Sequence, residues 1–580
     1  MTFVDTVACL LCRCHGEIDD VVDFDRLQLQ LADDGRVDSV EVCDALCLGD
    51  SLANLARKMG ADNGSRTLIA GCSALARGDE LVDRLTAHGI DPGRVKITDI
   101  REGCAWIHAD QPKEATSKAA DLVRMGITAL LHRQTSPEVE IEICPRVLVI
   151  GSGPAGMAAA VALGSYGVSV VLVESTGKLG GMLNYLSRVA PGDRTTEEIQ
   201  EPLVEAIRKV PNIQVHLGTR VDKIEGSAGN FEVFLSGKNG ETRLETGAII
   251  VATGAKPVLP RGMYRYGELA GVISGMEMEK IFKDGMPAGD TVFIQCVAVR
   301  NQARPYCSAV CCPASLKNAI RLKESNNKVD VTILHRDVMS PGRHLEELYR
   351  CATAAGVGFI RFDPDDPPRV EGNDKVAGVR VADALSGQKR LIEAERVVLA
   401  TPLEPRENSA IPLSADNHGF YTVQSFLHTV ETTVPGLFVC GSARWPVMVD
   451  GALTQGRAAA AKALDLVSRP KYRASGLIGF QGTRFACAQV SQKTCTGCGN
   501  CVAACPFDAC HLEKTKEGLR AVVNPVCCMG CGSCAAVCPN QSAALPEMAS
   551  ISMARIVENA FAGRPLRCRC ADTQGSAANQ

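Results

Sequence analysis

The sequence predicts an α/β protein in several regions, with a small α+β domain of cysteine repeats toward its C-terminal end. Three observations carry that expectation. The stretch RVLVIGSGPAGMAAAVALGSYGVSVVLVE (146–174) reads strand, glycine turn, helix, strand. Strand–helix–strand character then recurs through 144–470, the mark of a parallel sheet. Finally, CTGCGNCVAACP and CMGCGSCAAVCP both spell C-x2-C-x2-C-x3-C-P.

At 580 residues the chain has room for three to five domains with sizeable cores. A net charge of −4 and an aromatic content of 4% argue against a nucleic-acid surface or a polybasic membrane patch. The N-terminal MTFVDTVACLLCRCHG has neither a basic segment nor a long apolar one, so it does not read as a signal peptide. Without export, the 27 clustered cysteines read as metal ligands or redox centres rather than disulfide staples. The most apolar stretch, 147–173, is broken by glycines and a proline, so it is no membrane span. The expectation is a cytoplasmic protein.

Residues 1–143 form an N-terminal α/β domain with scattered cysteines. CLLCRCHGEI contains Cys12 and Cys14, VCDALCLGD holds Cys47, IAGCSALAR holds Cys72, and IREGCAWIH holds Cys104. Three of the positions Cys14, Cys47, Cys72 and Cys104 follow β-like stretches, so a common strand end can gather them. The residues alone leave two readings open: a metal-cluster site, or a docking domain with buried thiols. His15 and His108 read as hydrogen-bonded rather than ligating.

Residues 144–255 and 403–470 make the first lobe of the α/β core. Gly151, Gly153 and Gly156, with Pro154 and Ala155 between them, permit a tight turn and close approach of backbone to a pyrophosphate at a helix N-terminus. Glu174 closes the second strand, where an acid binds ribose hydroxyls. GKLGGML supplies Gly180 and Gly181. IIVATGAKP supplies Thr253 and Gly254, and VPGLFVCGSARWPVMVDGALTQGRAAAAKAL supplies Gly441 and Ser442. Together these motifs resemble the two-lobed, disulfide-reductase-type (thioredoxin-reductase-like) flavoproteins, which implies FAD. That class often has Gly-Asp in the late motif, where this chain has Gly441-Ser442.

Residues 256–402 form the second lobe, where such flavoproteins hold a nicotinamide coenzyme. The strand TVFIQ and the later VDVTILHR keep the βαβ frame, but no glycine loop joins them. Cys296, Cys307, Cys311 and Cys312 occupy that loop, and four thiolates suit a [4Fe–4S] cluster. A dithiol–disulfide pair or plain buried cysteines are the alternatives.

Residues 471–547 read as a two-cluster ferredoxin domain. The bacterial rule sends the fourth cysteine of each run to the other cluster. One set is then Cys495, Cys498, Cys501 and Cys538, and the other is Cys528, Cys531, Cys534 and Cys505. Cys487, Cys510, Cys527, Cys568 and Cys570 fall outside the pattern. Residues 548–580 begin as a helix and end in a polar, disordered tail.

QC…RPYCSAVCCPASLKNA, with the flanking motifs in the same order over about 1–560, resembles HdrA, the flavin and iron–sulfur member of heterodisulfide reductase. The resemblance implies a [4Fe–4S] cluster on Cys296, Cys307, Cys311 and Cys312, and a lysine, Lys317, near the flavin N5. It also implies an N-terminal [4Fe–4S] cluster on Cys14, Cys47, Cys72 and Cys104, with Cys12 able to replace Cys14. Four clusters and one FAD result. Many family members carry a further ferredoxin domain where this chain has only FLSGKNGETRLETG, so it resembles a trimmed member. The implied activity is flavin-based electron bifurcation, or its reverse, confurcation. The implied partners are heterodisulfide reductase B- and C-like subunits, ferredoxin, a hydrogenase or formate dehydrogenase, and a second copy of the chain. Two rival readings are an NAD(P)H-dependent oxidoreductase like the small subunit of glutamate synthase, and a protein of linear electron relay and assembly.

Overall fold

A computed structural model of the chain describes residues 6–61, 66–132, 140–191, 194–238, 240–406, 409–424, 428–473, 487–545 and 550–561. The expected polar tail, with Cys568 and Cys570, lies outside the described residues. The chain divides into two compact units, residues 140–472 and residues 1–139 with 473–580.

The N-terminal sheet is parallel. Its strands are β1 (Val7–Cys12), β2 (Val37–Cys43), β3 (Arg66–Gly71) and β4 (Val95–Asp99), in the order β2-β1-β3-β4. Alternation along β1 sends Cys9 and Leu11 to one face and Leu10 and Cys12 to the other. The first face packs on α1 (Phe24–Ala32) and α4 (Pro112–Leu131), the second on α2 (Ser51–Ala61) and α3 (Ala74–Ala87). The strand order reverses between β1 and β3, and doubly wound sheets open a crevice there, beyond the carboxyl ends of the strands. A single π-helical turn, Arg101–Ala105, follows β4.

The 140–472 unit begins with β5 (Glu140–Glu142). Its first lobe runs β6 (Arg146–Ile150), α5 (Pro154–Ser165), β7 (Ser169–Glu174), α6 (Thr196–Lys209), β8 (Ile213–Leu217), three antiparallel strands β9 (Arg220–Ser227), β10 (Asn230–Gly237) and β11 (Gly240–Thr246), then β12 (Ala248–Val251). FLSGKNGETRLETG carries paired residues of β10 and β11, with Gly237 opposite Gly240. The second lobe follows β13 (Ala255–Pro257) and holds β14 (Val272–Ser274), α7 (Gly275–Asp284), β15 (Thr291–Ile294), α8 (Cys311–Ser325), β16 (Val331–His335), α9 (Arg343–Ala354), β17 (Gly358–Arg361), β18 (Arg369–Gly372), β19 (Val376–Ala382), β20 (Lys389–Glu393) and β21 (Arg396–Leu399). The chain returns through β22 (Leu403–Pro405), which pairs with β13, and completes the first lobe with β23 (Leu437–Val439) and α10 (Val449–Val467). The two lobe sheets are parallel and of matching form, β23-β12-β6-β7-β8 and β14-β21-β15-β16-β17. β24 (Lys471–Arg473) ends this stretch.

The cysteine-repeat domain has two antiparallel strand pairs and two single-turn helices. Their order is β25 (Gln489–Val490), α11 (Asn500–Ala503), β26 (Cys510–Thr515), β27 (Gly518–Val523), α12 (Ser533–Ala536) and β28 (Ala543–Ala544). β25 pairs with β28 and β26 with β27, so the two cysteine runs fold as near-repeats. The last helix, α13 (Ser550–Phe561), packs along α4. Among the described residues no helix is long and apolar enough to cross a membrane.

Candidate functional site

A cavity of about 1400 Å³ runs through the 140–472 unit. Its floor is the β6–α5 turn, and the turn shows why glycine is required. Gly151 has φ of +102°, and a Cβ there would lie 2.4 Å from the Ala252 carbonyl oxygen. A Cβ on Gly156 would lie 1.9 Å from the Gly151 carbonyl oxygen. Glu174 Oε2 accepts from the Ser152 N–H at 2.9 Å and from Ser152 Oγ at 2.7 Å, and Oε1 accepts from the Thr176 N–H at 2.8 Å. Burial works to raise the Glu174 pKa, but those donors outweigh it and hold the carboxyl below its ordinary value. Gly153, Pro154, Ala155, Gly181, Thr253, Gly254, Gly441 and Ser442 line the same cavity. Gly180 stands just outside that wall, its N–H donating to the Ser152 carbonyl at 2.9 Å. At the Gly441-Ser442 departure the Gly441 N–H donates to Gln455 Oε1 at 2.9 Å, and Ser442 Oγ accepts from the Val447 N–H at 3.3 Å.

Helix α8 closes the cavity from the second lobe. Cys311, Ala314, Ser315, Lys317 and Asn318 all line it. Lys317 is 6% exposed and its Nζ reaches Glu279 Oε1 at 2.5 Å and the Arg188 carbonyl at 2.8 Å. Glu279, 2% exposed, also accepts from Asn318 Nδ2 at 2.9 Å and from the Ser187 N–H and Oγ at 2.9 and 2.7 Å. Burial alone would raise its pKa. The Lys317 charge and these donors prevail and lower it. The expected cation at the cavity is thus half of a buried, neutral pair. The sequence offered no signal for Glu279, which sits in an amphipathic helix of ordinary charge.

The four second-lobe cysteines stand within electrostatic reach of one another. Cys296, Cys307 and Cys312 each raise the pKa of Cys311, after burial as the first cause, and Cys312 is itself pushed up to about 11 by burial. Thiols so placed stay protonated unless a metal takes the proton's place. The loop needs no glycine to turn: Cys296, Ala298, Arg300 and Ala309 have φ of +59°, +63°, +57° and +56°. Left-handed backbone costs roughly 1–2 kcal/mol per non-glycine residue, so something must hold the loop. Tyr306 and Phe420 pack in one apolar cluster with Cys296, and Trp445 lies edge-on to Tyr306 at 5.4 Å between ring centroids.

In the cysteine-repeat domain Cys495, Cys498, Cys501 and Cys538 line one small cavity, and Cys505, Cys528, Cys531 and Cys534 line another. These are the two crossed sets that the spacing predicts. Backbone amides already point at the sulfurs: Ala521 N–H to Cys495 at 3.4 Å, Ala509 N–H to Cys505 at 3.3 Å, Ala488 N–H to Cys528 at 3.4 Å and Ser542 N–H to Cys538 at 3.2 Å. Cys487 and Cys510, which the repeat does not use, sit beside Cys528 and Cys534 and lower their pKa through thiol hydrogen bonds.

The pyridine nucleotide-disulphide oxidoreductase family model matches residues 145–299, and the 4Fe-4S dicluster domain model matches 487–539. The A-type polypeptide of ferredoxin:CoB-CoM heterodisulfide reductase from Methanosarcina acetivorans is 27% identical over 657 aligned positions, covering 90% of this chain and 80% of its own. The chain is similar to the A-type (HdrA) polypeptides of heterodisulfide reductase. The corresponding iron–sulfur polypeptide of CoB–CoM heterodisulfide reductase from Methanocaldococcus jannaschii is 28% identical, over 76% of this chain and 80% of its own. The first alignment is longer than the 580 residues here, so that relative carries insertions this chain lacks. Among solved structures, the thioredoxin reductase of T. acidophilum matches at 18% identity and a TM-score of 0.41, over 56% of this chain and 99% of that one.

These matches make the chain an oxidoreductase with FAD and iron–sulfur clusters, and its residues fit both groups. Thr253 Oγ1 and Asn318 Oδ1 are buried without partners, on residues that line the glycine-floored cavity, where a polar cofactor would meet them. Each ferredoxin cavity presents four sulfurs, two of them with amide donors, the donor set of an iron–sulfur cluster. Among the described residues no three His, Cys, Asp or Glu side chains converge on a single-ion position. Cluster ligands have no need to, since each sulfur binds a different iron.

In the N-terminal domain the crevice at the sheet's carboxyl edge collects thiols. Cys12 and Cys43 are register partners on β1 and β2, and their side chains hydrogen-bond. Cys47 acts on Cys43, and Cys12 and Cys14 act on Cys72. Arg101 Nη1 donates to Cys14 Sγ at 2.9 Å, while the extra His15 pairs with Asp44 at 2.7 Å. Cys104 departs from the expected set. It is fully buried on the π-helical turn, its thiol donates to the Ala115 carbonyl at 3.2 Å, and the charged groups acting on it are Lys118 and Asp99 rather than other cysteines. The turn aims it at the α4 core, and Cys43, which spacing did not single out, stands in the crevice group.

Proposed function

We propose that this chain is the FAD and iron–sulfur electron-transfer subunit of a heterodisulfide-reductase-like complex, cytoplasmic, working by electron bifurcation or confurcation between a two-electron donor, ferredoxin and a disulfide-type acceptor. One observation carries the reading: α8 presents Cys311 and Cys312 in its first turn and Lys317 and Asn318 to the flavin cavity about 9 Å further along, at 1.5 Å per residue. Bound FAD supplies the exchange between two-electron and one-electron transfer. The Gly151–Gly156 turn and the α5 N-terminus hold its pyrophosphate, and Glu174 Oε1 is placed for a ribose hydroxyl. Lys317 and Glu279 fix charge beside the ring, and Lys317 favours an anionic form where the pair opens.

We assign the central cluster to Cys296, Cys307, Cys311 and Cys312, and the ferredoxin clusters to the two crossed sets. The N-terminal cluster draws its ligands from Cys12, Cys14, Cys43, Cys47 and Cys72. That makes four clusters, with B- and C-like subunits, ferredoxin, and a hydrogenase or formate dehydrogenase as partners, and a dimer of this chain within the complex. The cysteine loop at the nicotinamide position disfavours direct reduction by NAD(P)H. Anaerobic mixing of the purified complex with NADPH leaves the flavin absorbance unchanged, and rapid bleaching overturns the assignment. A flavin redox titration showing one two-electron step supports bifurcation, while two well-separated one-electron steps reduce the chain to a linear relay.

A further inference from the structure

Gln295 is the last residue before the first central cysteine. It is 2% exposed, and neither its side-chain oxygen nor its side-chain nitrogen has a partner. A buried primary amide left bare on both atoms costs about 1–3 kcal/mol or more, so a group that answers it is expected.

The strand tells where the side chain goes. Val292 and Ile294 of β15 pack in the core on one face of the sheet. Phe293 packs on the other face against Leu316 and Ala319 of α8, and lines the flavin cavity. The ladder continues through the Gln295 N–H, which donates to the Leu334 carbonyl at 2.9 Å. Strict alternation therefore puts the Gln295 side chain on the α8 face, at the carboxyl end of the strand, under the helix turn that carries Cys311 and Cys312. That turn opens at Val310 without a side-chain cap, which leaves its first amides for another acceptor.

We infer that Gln295 Nε2 donates a hydrogen bond to a sulfur of the central cluster and thereby raises that cluster's potential relative to the flavin. The inference rests on the central-cluster assignment. The reduced cluster carries one more negative charge than the oxidised one, so an N–H···S bond strengthens on reduction and favours the reduced form. One electron enters the cluster, and no proton leaves the amide. Gln295 is a positioning residue here, since its effect on the flavin reaction passes through the cluster.

The test is an EPR-monitored redox titration of the anaerobically purified holoprotein, with the central signal identified as the one that Cys296→Ser abolishes. In Gln295→Met, which keeps volume and loses the donor, the ratio of reduced to oxidised central cluster at fixed poise falls about tenfold, which is ~59 mV for one electron. The ferredoxin signals stay in place. Gln295→Glu, an acceptor or anion at the same position, lowers it at least as far. If the variants fold poorly, the native protein decides: labelled with 15N in glutamine side chains, it shows an amide coupling to the central signal by electron–nuclear double resonance. An unmoved potential, a shift shared by all clusters, or no 15N coupling overturns the inference while leaving the cluster assignment intact. Absence of any signal that Cys296→Ser removes overturns the assignment itself.

Discussion

Lys317 and Glu279 show how much one buried pair decides. Their side chains are 6% and 3% exposed, and both Glu279 carboxylate oxygens accept from donors, one from Ser187 and the other from Lys317 and Asn318 of α8. Removing one partner of such a pair strands the other charge, which typically costs 3–5 kcal/mol. Glu279→Gln is therefore expected to lower the unfolding free energy of the holoprotein, read from a urea titration followed by flavin fluorescence, by an amount on that order. Its pH dependence has a definite sign. The folded-state pKa of Glu279 is depressed, so its contribution is fully present above the unfolded value of about 4.3 and is lost as pH falls through the folded value. Wild-type stability declines below about pH 4.3 with a slope that Glu279→Gln flattens.

Among the elements, the β6–α5 turn was legible because its chemistry is steric. A Cβ on Gly156 would overlap the Gly151 carbonyl, so Gly156→Ala is expected to abolish flavin retention on gel filtration while the ferredoxin clusters remain visible by EPR. The ferredoxin runs were legible because their spacing itself builds the sites, down to the crossing of Cys505 and Cys538. The N-terminal thiols were legible only in part. Sequence placed cysteines at strand ends, but which thiol faces the crevice depends on strand register and on a π-helical turn that no spacing announces. Cys43 faces Cys12 because β1 and β2 pair in parallel at that register, and Cys104 turns inward to Ala115. Cys104→Ala is accordingly expected to leave the iron content unchanged, whereas Cys72→Ala lowers it by roughly four irons per chain. The second-lobe loop hid its backbone: no glycine marks Cys296, Ala298 and Arg300, yet all three are left-handed.

At the scale of the whole chain, the lobes of residues 140–472 repeat one parallel plan, one with a glycine turn and the other with thiols at the corresponding place. The ferredoxin domain adds two sites that share their cysteines across the repeat. Cys505→Ser is expected to weaken the site on Cys528, Cys531 and Cys534 while sparing the one on Cys495, Cys498 and Cys501, read as loss of one of two interacting EPR signals. Because α8 is at once the wall of the flavin cavity and the foot of the cysteine loop, biogenesis of this protein has a sequence built into it. A newly made chain without the central cluster proposed above must carry the loop's left-handed residues on the Tyr306 and Phe420 packing alone. The riboflavin-derived group can then settle only in a chamber whose side has yet to set. On that assignment, vitamin uptake by the chain is expected to trail metal supply.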